Sequence, residues 1–535
     1  MYKRELKMRK KPCIAVMILC MAFLLSGCKS SEYRNANVIN ANNYDGVSFE
    51  TTSVSTAAPI PESSDTTTSK AAESTAVSEA SVPVSEESEQ TTVPVTEKSE
   101  QTTSTTAAPT AAATSTTTTP PAVTSETEAA SSSAAEATTT ASGAAASTAA
   151  TEAATDAELP DYDRSSYKPL NYSEVKGIWI SYIELSDFLT GKTESQFRAD
   201  IGAAYDNCAG LGLNTVYVHA RAFSDAFYDS ELFPLTKYVT GSYGASMTFD
   251  PLEIMVEEAH KRNLSFQAWI NPMRAYSADD ISSVKDGVVK SWYNDDSKRG
   301  KYVVKVGGYW YLNPAYAEVT DLIGKGAAEI AANYDVDGIH IDDYFYPTTD
   351  SSFDKSAFAS SGYSDLSEFR LANCDRLIKS LYDNIKAVNP KVLFGISTQG
   401  NVSNNIYQLY ANVEKWASNK GYADYFAPQI YYGFEHSSQD YVKVLNQWQK
   451  MVVKSGAALI PGLSIYKIGE VDTWAGSGKY EWQNYGDIIK RQIEAAREAD
   501  NYGGIVLYSY KYVFGSGKTS AMSTEIKAFK PLLTE

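Results

Sequence analysis

Cysteine is scarce in this chain and almost disappears after residue 28. Of five cysteines, Cys13, Cys20 and Cys28 lie near the N-terminus, and only Cys208 and Cys374 follow. Two isolated cysteines in helical patterns build neither a disulfide framework nor a zinc site, with a single bridge left open. Histidine is as rare, with four in 535 residues. The first strand pattern reads Trp179-Ile180-Ser181 where a metal-dependent hydrolase barrel would carry His-x-His. His219, His340 and His436 show no ligand spacing, so neither a metal nor a cofactor is expected. No basic patch for nucleic acid is visible either, and the net charge of -18 lies mostly outside the part of globular composition. No Gly-rich phosphate turn follows the first strand, and Gly515-Ser516-Gly517-Lys518 is too weak to read as a phosphate loop. No nucleophile elbow supports a Ser–His–Asp arrangement.

What is present falls into three regions. Residues 1–27 begin with a basic segment, continue through an apolar run from Cys13 to Leu25, and reach Leu25-Ser26-Gly27-Cys28. The run is too short for a comfortable membrane span and sits where a signal peptide sits. The tetrapeptide resembles the lipobox of bacterial lipoproteins, which implies lipidation of Cys28 and an extracytoplasmic chain anchored to the membrane. An uncleaved anchor is the alternative. Residues 28–165 are rich in Thr, Ser, Ala and Glu and lack any aromatic residue between Phe49 and Tyr162. Such a segment cannot bury enough apolar surface to offset its chain entropy and is expected to be a disordered stalk. Its twenty acidic and five basic residues carry most of the net charge. A coil of this length reaches on the order of 60–70 Å. All eight tryptophans fall within residues 166–535, which have ordinary globular composition and the length of one large domain.

Within that domain, strand patterns alternate with amphipathic helix patterns. Eight strands are predicted: 175–181, 214–221, 264–271, 336–343, 392–397, 425–431, 457–465 and 504–510. The intervening helices predict an α/β fold, a (β/α)8 TIM barrel, over an open doubly wound sheet. Strand after strand, one face is apolar and the other ends in polar or aromatic groups. Strand two offers His219 and Arg221; strand three Gln267, Trp269 and Asn271; strand five Ser397 and Gln399; strand six Gln429 and Tyr431. Polar groups converging at C-terminal strand ends are how barrel enzymes build a site. The loops after strands two, three and seven are long and aromatic-rich, which suits stacking on sugar rings or simply pins the loops down.

The fourth strand, VDGIHIDDYFYP (336–347), is the centre of the reading. Ile339 and Ile341 alternate with His340 and Asp342, and Asp343 follows where the pleat ends. Two adjacent carboxylates there are costly to bury without a task or a partner. Glycoside hydrolysis needs a carboxylic acid and a second group that acts as nucleophile, base or stabilising anion. Asp342 and Asp343 supply either or both, because neighbouring carboxylates split their pKa values. Asp225 and Glu435 are further candidates for a second carboxylate.

Six segments carry a resemblance: GIWIS, NTVYVHAR, AWINPMR, DGIHIDDYFYP, FGIS and APQIYYGFEH, in order at successive strand ends. They resemble the glycosyl-hydrolase-like family 10 domain, over about Ser173 to Tyr510. Members are bacterial and exported, often lipoproteins, and adopt a TIM barrel; a characterised member cleaves peptidoglycan glycan strands stripped of their stem peptides. The resemblance implies a wall-acting glycoside hydrolase with a polysaccharide substrate, with Asp342 and Asp343 catalytic. It implies that Arg221, Trp269, Asn271, Arg274, His340, Gln429 and Tyr431 line the cleft, and Glu435 joins them as a binding residue. True family 10 xylanases carry Asn-Glu at the fourth strand, so an Asp-Asp pair is closer to hexosaminidases that use the substrate's acetamido group as nucleophile. A non-catalytic glycan-binding lipoprotein and a hydrolase of another polysaccharide are the alternatives.

Overall fold

The computed structural model describes residues 168–516 and 518–535. The expected signal peptide, lipidation site and stalk lie outside the described residues. Eight parallel segments form one sheet: Val175–Ile180, Thr215–Arg221, Ser265–Ile270, Gly338–Ile341, Leu393–Ile396, Tyr425–Phe426, a seventh split into Ala458–Leu459 and Gly462–Leu463, and Gly504–Leu507. Neighbours in the sheet are neighbours in sequence, and the last strand pairs with the first. The two halves of the seventh segment stand at the two sheet ends and are separated only by Ile460 and Pro461. The sheet is therefore curled and TIM-like, with helices between its strands.

The predicted strands are all trimmed at their ends, the fourth to Gly338–Ile341 and the eighth to Gly504–Leu507, and the sixth and seventh are interrupted for one reason. Proline has no N–H to give to a ladder. Pro428 follows the sixth strand, after which pairing survives only as isolated bridges of Gln429 to Gln399 and Gly462. Pro461 splits the seventh. The predicted helix around 407–416 is two short helices, Val402–Tyr407 and Val413–Ser418, with Tyr410 between them at φ 53°. Helix boundaries elsewhere follow local chemistry. Glu194–Leu211 opens on a capping box of Thr193 with Gln196 and closes on Gly212 in the left-handed region. Leu366–Val388 stops before Asn389-Pro390. Cys208 and Cys374 are both buried and free, so no bridge forms between them. No helix among the described residues is long and apolar enough to cross a membrane.

Apolar side chains pack on both faces of the sheet. The larger core lies between sheet and helices, where Val216, Phe266, Ile339, Ile341 and Ile396 meet residues such as Leu377 and Ile330. A smaller cluster fills the sheet's concave side: Trp179, Tyr217, Trp269, Tyr425, Ala427, Ile460 and Val506. Gly338 and Gly395 make room for it. A Cβ on Gly395 would run into the Tyr425 ring, and one on Gly338 into the Gln267 amide. Gly395→Ala is expected to destabilise the domain by about 1–3 kcal/mol through overpacking. Urea unfolding checks this, and an unchanged midpoint would contradict it.

Candidate active site

The concave side of the sheet ends in a cavity open to solvent. Register explains its lining. His219, Trp269 and His340 are aligned across strands two, three and four, so their side chains form one layer. The next layer towards the C-terminal strand ends holds Asn271 and Asp342. Asp342, Asp343, Trp269, Asn271, Arg274, Gln429 and Tyr431 all line the cavity, together with Trp179, Ser181, Tyr182, His219, Tyr344, Ser397 and Tyr508. Trp179, Ser181, Tyr182, Tyr344 and Tyr508 lie outside the set expected from sequence. Strand parity applied to the first and last strands, as to the middle five, singles out Trp179 and Tyr508.

The two carboxyls are nearly removed from solvent, 4% exposed at Asp342 and 6% at Asp343. Trp269 Nε1 donates to Asp342 Oδ2 at 3.1 Å, and the Tyr344 amide to Oδ1 at 3.3 Å. Gln399 and Gln429 each point an amide Nε2 at an Asp343 oxygen, at 3.4 Å. Burial raises Asp342 well above the ordinary carboxylate range, and the charge of Asp343 raises it further. Burial pushes Asp343 up to about 6, against the two glutamine amides. Near neutral pH the pair therefore shares one proton and one negative charge, with the stronger upward push on Asp342.

Both central histidines are neutral. His219 Nδ1 accepts from the Tyr182 amide at 3.0 Å, so Nε2 carries the proton and faces Asn271 Oδ1 at 3.3 Å. Its ring stacks on Trp269 with centroids 3.5 Å apart, and burial holds it well below the usual imidazole range. His340 is fully buried and its pKa falls to about 3 for the same reason. Trp179 Nε1 donates to His340 Nε2 at 3.1 Å, leaving Nδ1 to donate to the Tyr425 hydroxyl at 3.1 Å. His340 thus stands beneath the cavity and holds Trp179, rather than lining it.

Arg221 and Glu435 are placed elsewhere. The ladder is irregular between His219 and Arg221, where Ala220 and Arg221 together oppose Ile270. This bulge turns Arg221 to the helix side with Ile270, where its guanidinium lies 4.1 Å from the Phe233 ring centroid. Glu435 is exposed: Glu481 holds the Phe434 and Glu435 amides at 2.8 Å, and the Glu435 carboxylate accepts from the Tyr485 hydroxyl. Asp225 is buried outside the lining and accepts from Tyr243 at 2.9 Å; burial raises it to about 6. His436 Nδ1 accepts from the Ser438 and Gln439 amides. Among the described residues no three His, Cys, Asp or Glu side chains are grouped to hold a metal.

The loop after strand three is more structured than its sequence suggests. It folds into an antiparallel sheet of Arg274–Ser277, Val303–Val306 and Tyr309–Leu312, which delivers Arg274 to the cavity.

A TIM-like sheet that ends in a buried carboxyl pair, half protonated, among aromatic side chains defines a glycoside hydrolase-like domain. The chain belongs to the glycosyl hydrolase-like 10 family, whose sequence profile matches residues 174–476. It is 30% identical over 350 residues to the glycosyl hydrolase YngK of Bacillus subtilis, covering 61% of this chain and 67% of YngK. It is 26% identical over 377 residues to the glycosyl hydrolase DigH of Escherichia coli K12, covering 63% of this chain and 83% of DigH. Among solved structures, the glycoside hydrolase domain of PgaB (BpsB) from Bordetella bronchiseptica matches 66% of this chain and 99% of that domain, with a TM-score of 0.43 and 11% identity.

Proposed function

We propose that this cavity hydrolyses glycosidic bonds of cell-wall glycan, with peptide-stripped peptidoglycan strands as substrate. In this reading the curled sheet is a (β/α)8 barrel in which 458–463 acts as one strand. The carboxyl pair carries the proposal. Asp342 retains the proton a leaving glycosidic oxygen needs, and Asp343 supplies the negative charge that an oxocarbenium-like state needs. Two carboxyls on consecutive residues leave little room for one to attack from the opposite face of the sugar. Asp343 is therefore assigned to orient the substrate's own acetamido group by accepting its N–H: the acetamido oxygen bonds to the anomeric carbon as the glycosidic C–O bond breaks, and the leaving oxygen takes the proton of Asp342. Trapping a covalent glycosyl-enzyme would overturn that assignment. Trp179, Trp269, Tyr431 and Tyr508 offer ring faces to the sugar C–H bonds, and Ser397 Oγ beside them is buried with no partner among the described residues.

The proposal extends to location: lipidation at Cys28 would tether the domain outside the cytoplasm, with 28–165 as its spacer. Labelled fatty acid incorporated by the wild type but not by Cys28→Ser checks this. The hydrolase itself is tested by incubating the purified protein with peptide-stripped glycan and reading released fragments by mass spectrometry. Products from wild type and none from Asp342→Asn are expected. Retention on the glycan without products would make the protein a glycan-binding module.

A further inference from the structure

We propose that Arg274 is the specificity residue of this cavity and that the sugar beside the cleaved bond carries a carboxylate, which Arg274 pairs. The inference rests on the hydrolase reading of the same cavity, and it names the chemical class of substrate that the cavity selects.

Arg274 is 5% exposed and lines the cavity, yet among the described residues it forms no ion pair. Four aromatic rings surround it instead: Phe223, Tyr344, Tyr309 and Tyr182, with centroids 4.3, 4.7, 5.0 and 6.0 Å from Cζ. Nη1 donates to the Tyr344 hydroxyl at 3.0 Å, and Nε is buried with no partner. Rings and phenols orient a guanidinium but do not neutralise it, and a buried charge is costly without a counter-charge. Arg370, fully buried, has such a counter-charge in two oxygens of Asp354.

The site's own carboxyls do not supply the missing partner. Asp342 is spent on Trp269 and the Tyr344 amide, and Asp343 faces the two glutamines. The Arg274 charge is felt at Asp342, but neither carboxyl forms an ion pair with the guanidinium, and its buried Nε is left to donate to an anion brought by the substrate. A guanidinium fork matches a carboxylate with two parallel hydrogen bonds. Its position on a strand of the small antiparallel sheet, paired with Tyr311, holds the fork rigidly at the cavity wall. A carboxylate on the bound sugar completes the pairing. It comes either from an ether-linked acid, as on the muramyl residues of peptide-stripped glycan, or from a ring carboxyl, as on a uronic acid.

The test compares full-length protein on three glycans: peptide-stripped peptidoglycan oligosaccharides, the same oligosaccharides with carboxyls reduced to alcohols, and a glycan alternating N-acetylhexosamine with uronic acid. Hydrolysis rate and calorimetric binding are both read. Wild type is expected to favour the carboxylated over the reduced oligosaccharide by about a hundredfold. Arg274→Gln is expected to bring that ratio close to one, and Arg274→Lys to retain part of it. A wild-type ratio near one overturns the inference, as does a preference that survives in Arg274→Gln. If Arg274→Gln fails to fold, the wild-type ratio with Arg274→Lys decides. Binding preference without hydrolysis of any glycan sinks the hydrolase reading and sustains Arg274, while hydrolysis without preference does the reverse. A stronger response to the uronic glycan assigns a ring carboxyl, and to the muramyl glycan the ether-linked acid.

Discussion

Asp342→Asn is expected to lower glycan turnover by about 10³-fold or more while making the folded protein more stable above pH 6. The rate loss follows from removing the proton donor, a contribution of about 10²–10⁴ in enzymes of this kind. The stability gain comes from the same burial. A carboxyl whose folded pKa is raised contributes stability below its unfolded pKa and loses it as pH rises through the folded value. For Asp343 the window runs from about 4, its unfolded value, to about 6. Ionising it in the fold costs about 3 kcal/mol, at 1.36 kcal/mol per unit. Asp343→Asn removes that cost, so its thermal midpoint should exceed that of wild type at pH 8 and match it near pH 4. Activity should move the opposite way with pH. Wild-type kcat/KM should rise with an apparent pKa near 6 as Asp343 ionises, and fall on the alkaline side as Asp342 loses its proton. Scanning calorimetry across pH, beside rate profiles, checks both. Equal or lower stability of both Asn variants at pH 8 would show that the pair is not held against its desolvation.

Asp354→Ala should produce the largest loss of stability, about 3–5 kcal/mol. Arg370 and Asp354 are each fully buried, with Nε–Oδ2 at 2.9 Å and Nη2–Oδ1 at 2.8 Å. The same guanidinium donates to the Thr348 and Asp350 carbonyls and lies over the Tyr346 and Tyr410 rings. It thereby ties helix Leu366–Val388 to the loop that leaves the carboxyl pair. Removing the aspartate strands a cation with no access to water. Replacing both partners, as in Asp354→Leu with Arg370→Met, should recover most of the loss, because neither charge then needs burying. Urea unfolding of the three variants checks this. A single-variant cost under about 1 kcal/mol would show that the pair does not anchor the loop.

Much of this protein is legible because its information is local. Period-two alternation marks the strands and tells which side chains share a face, so Asp342 and Trp269 can be placed on the cavity side from sequence. Capping residues and Asn389-Pro390 mark helix ends, because they act on backbone groups within a turn. Composition separates 28–165 from the rest without reference to any contact.

Tertiary structure decided what depends on neighbours distant in sequence. One extra residue opposite Ile270 sends Arg221 to the helix side, and parity counting cannot see a bulge. His340 has the right parity, but its depth beneath the cavity is set by Trp179 and Tyr425, which are distant in the chain. Glu435 is turned outward by Glu481, and the absence of an ion pair at Arg274 emerges only when the loop after strand three folds over the sheet. Sequence by itself determined the alternation of strands and helices, the boundaries of composition and the strand end on which two carboxyls sit. Only the folded chain decided which groups are desolvated together, because burial and partnership are sums over contacts that no single segment contains.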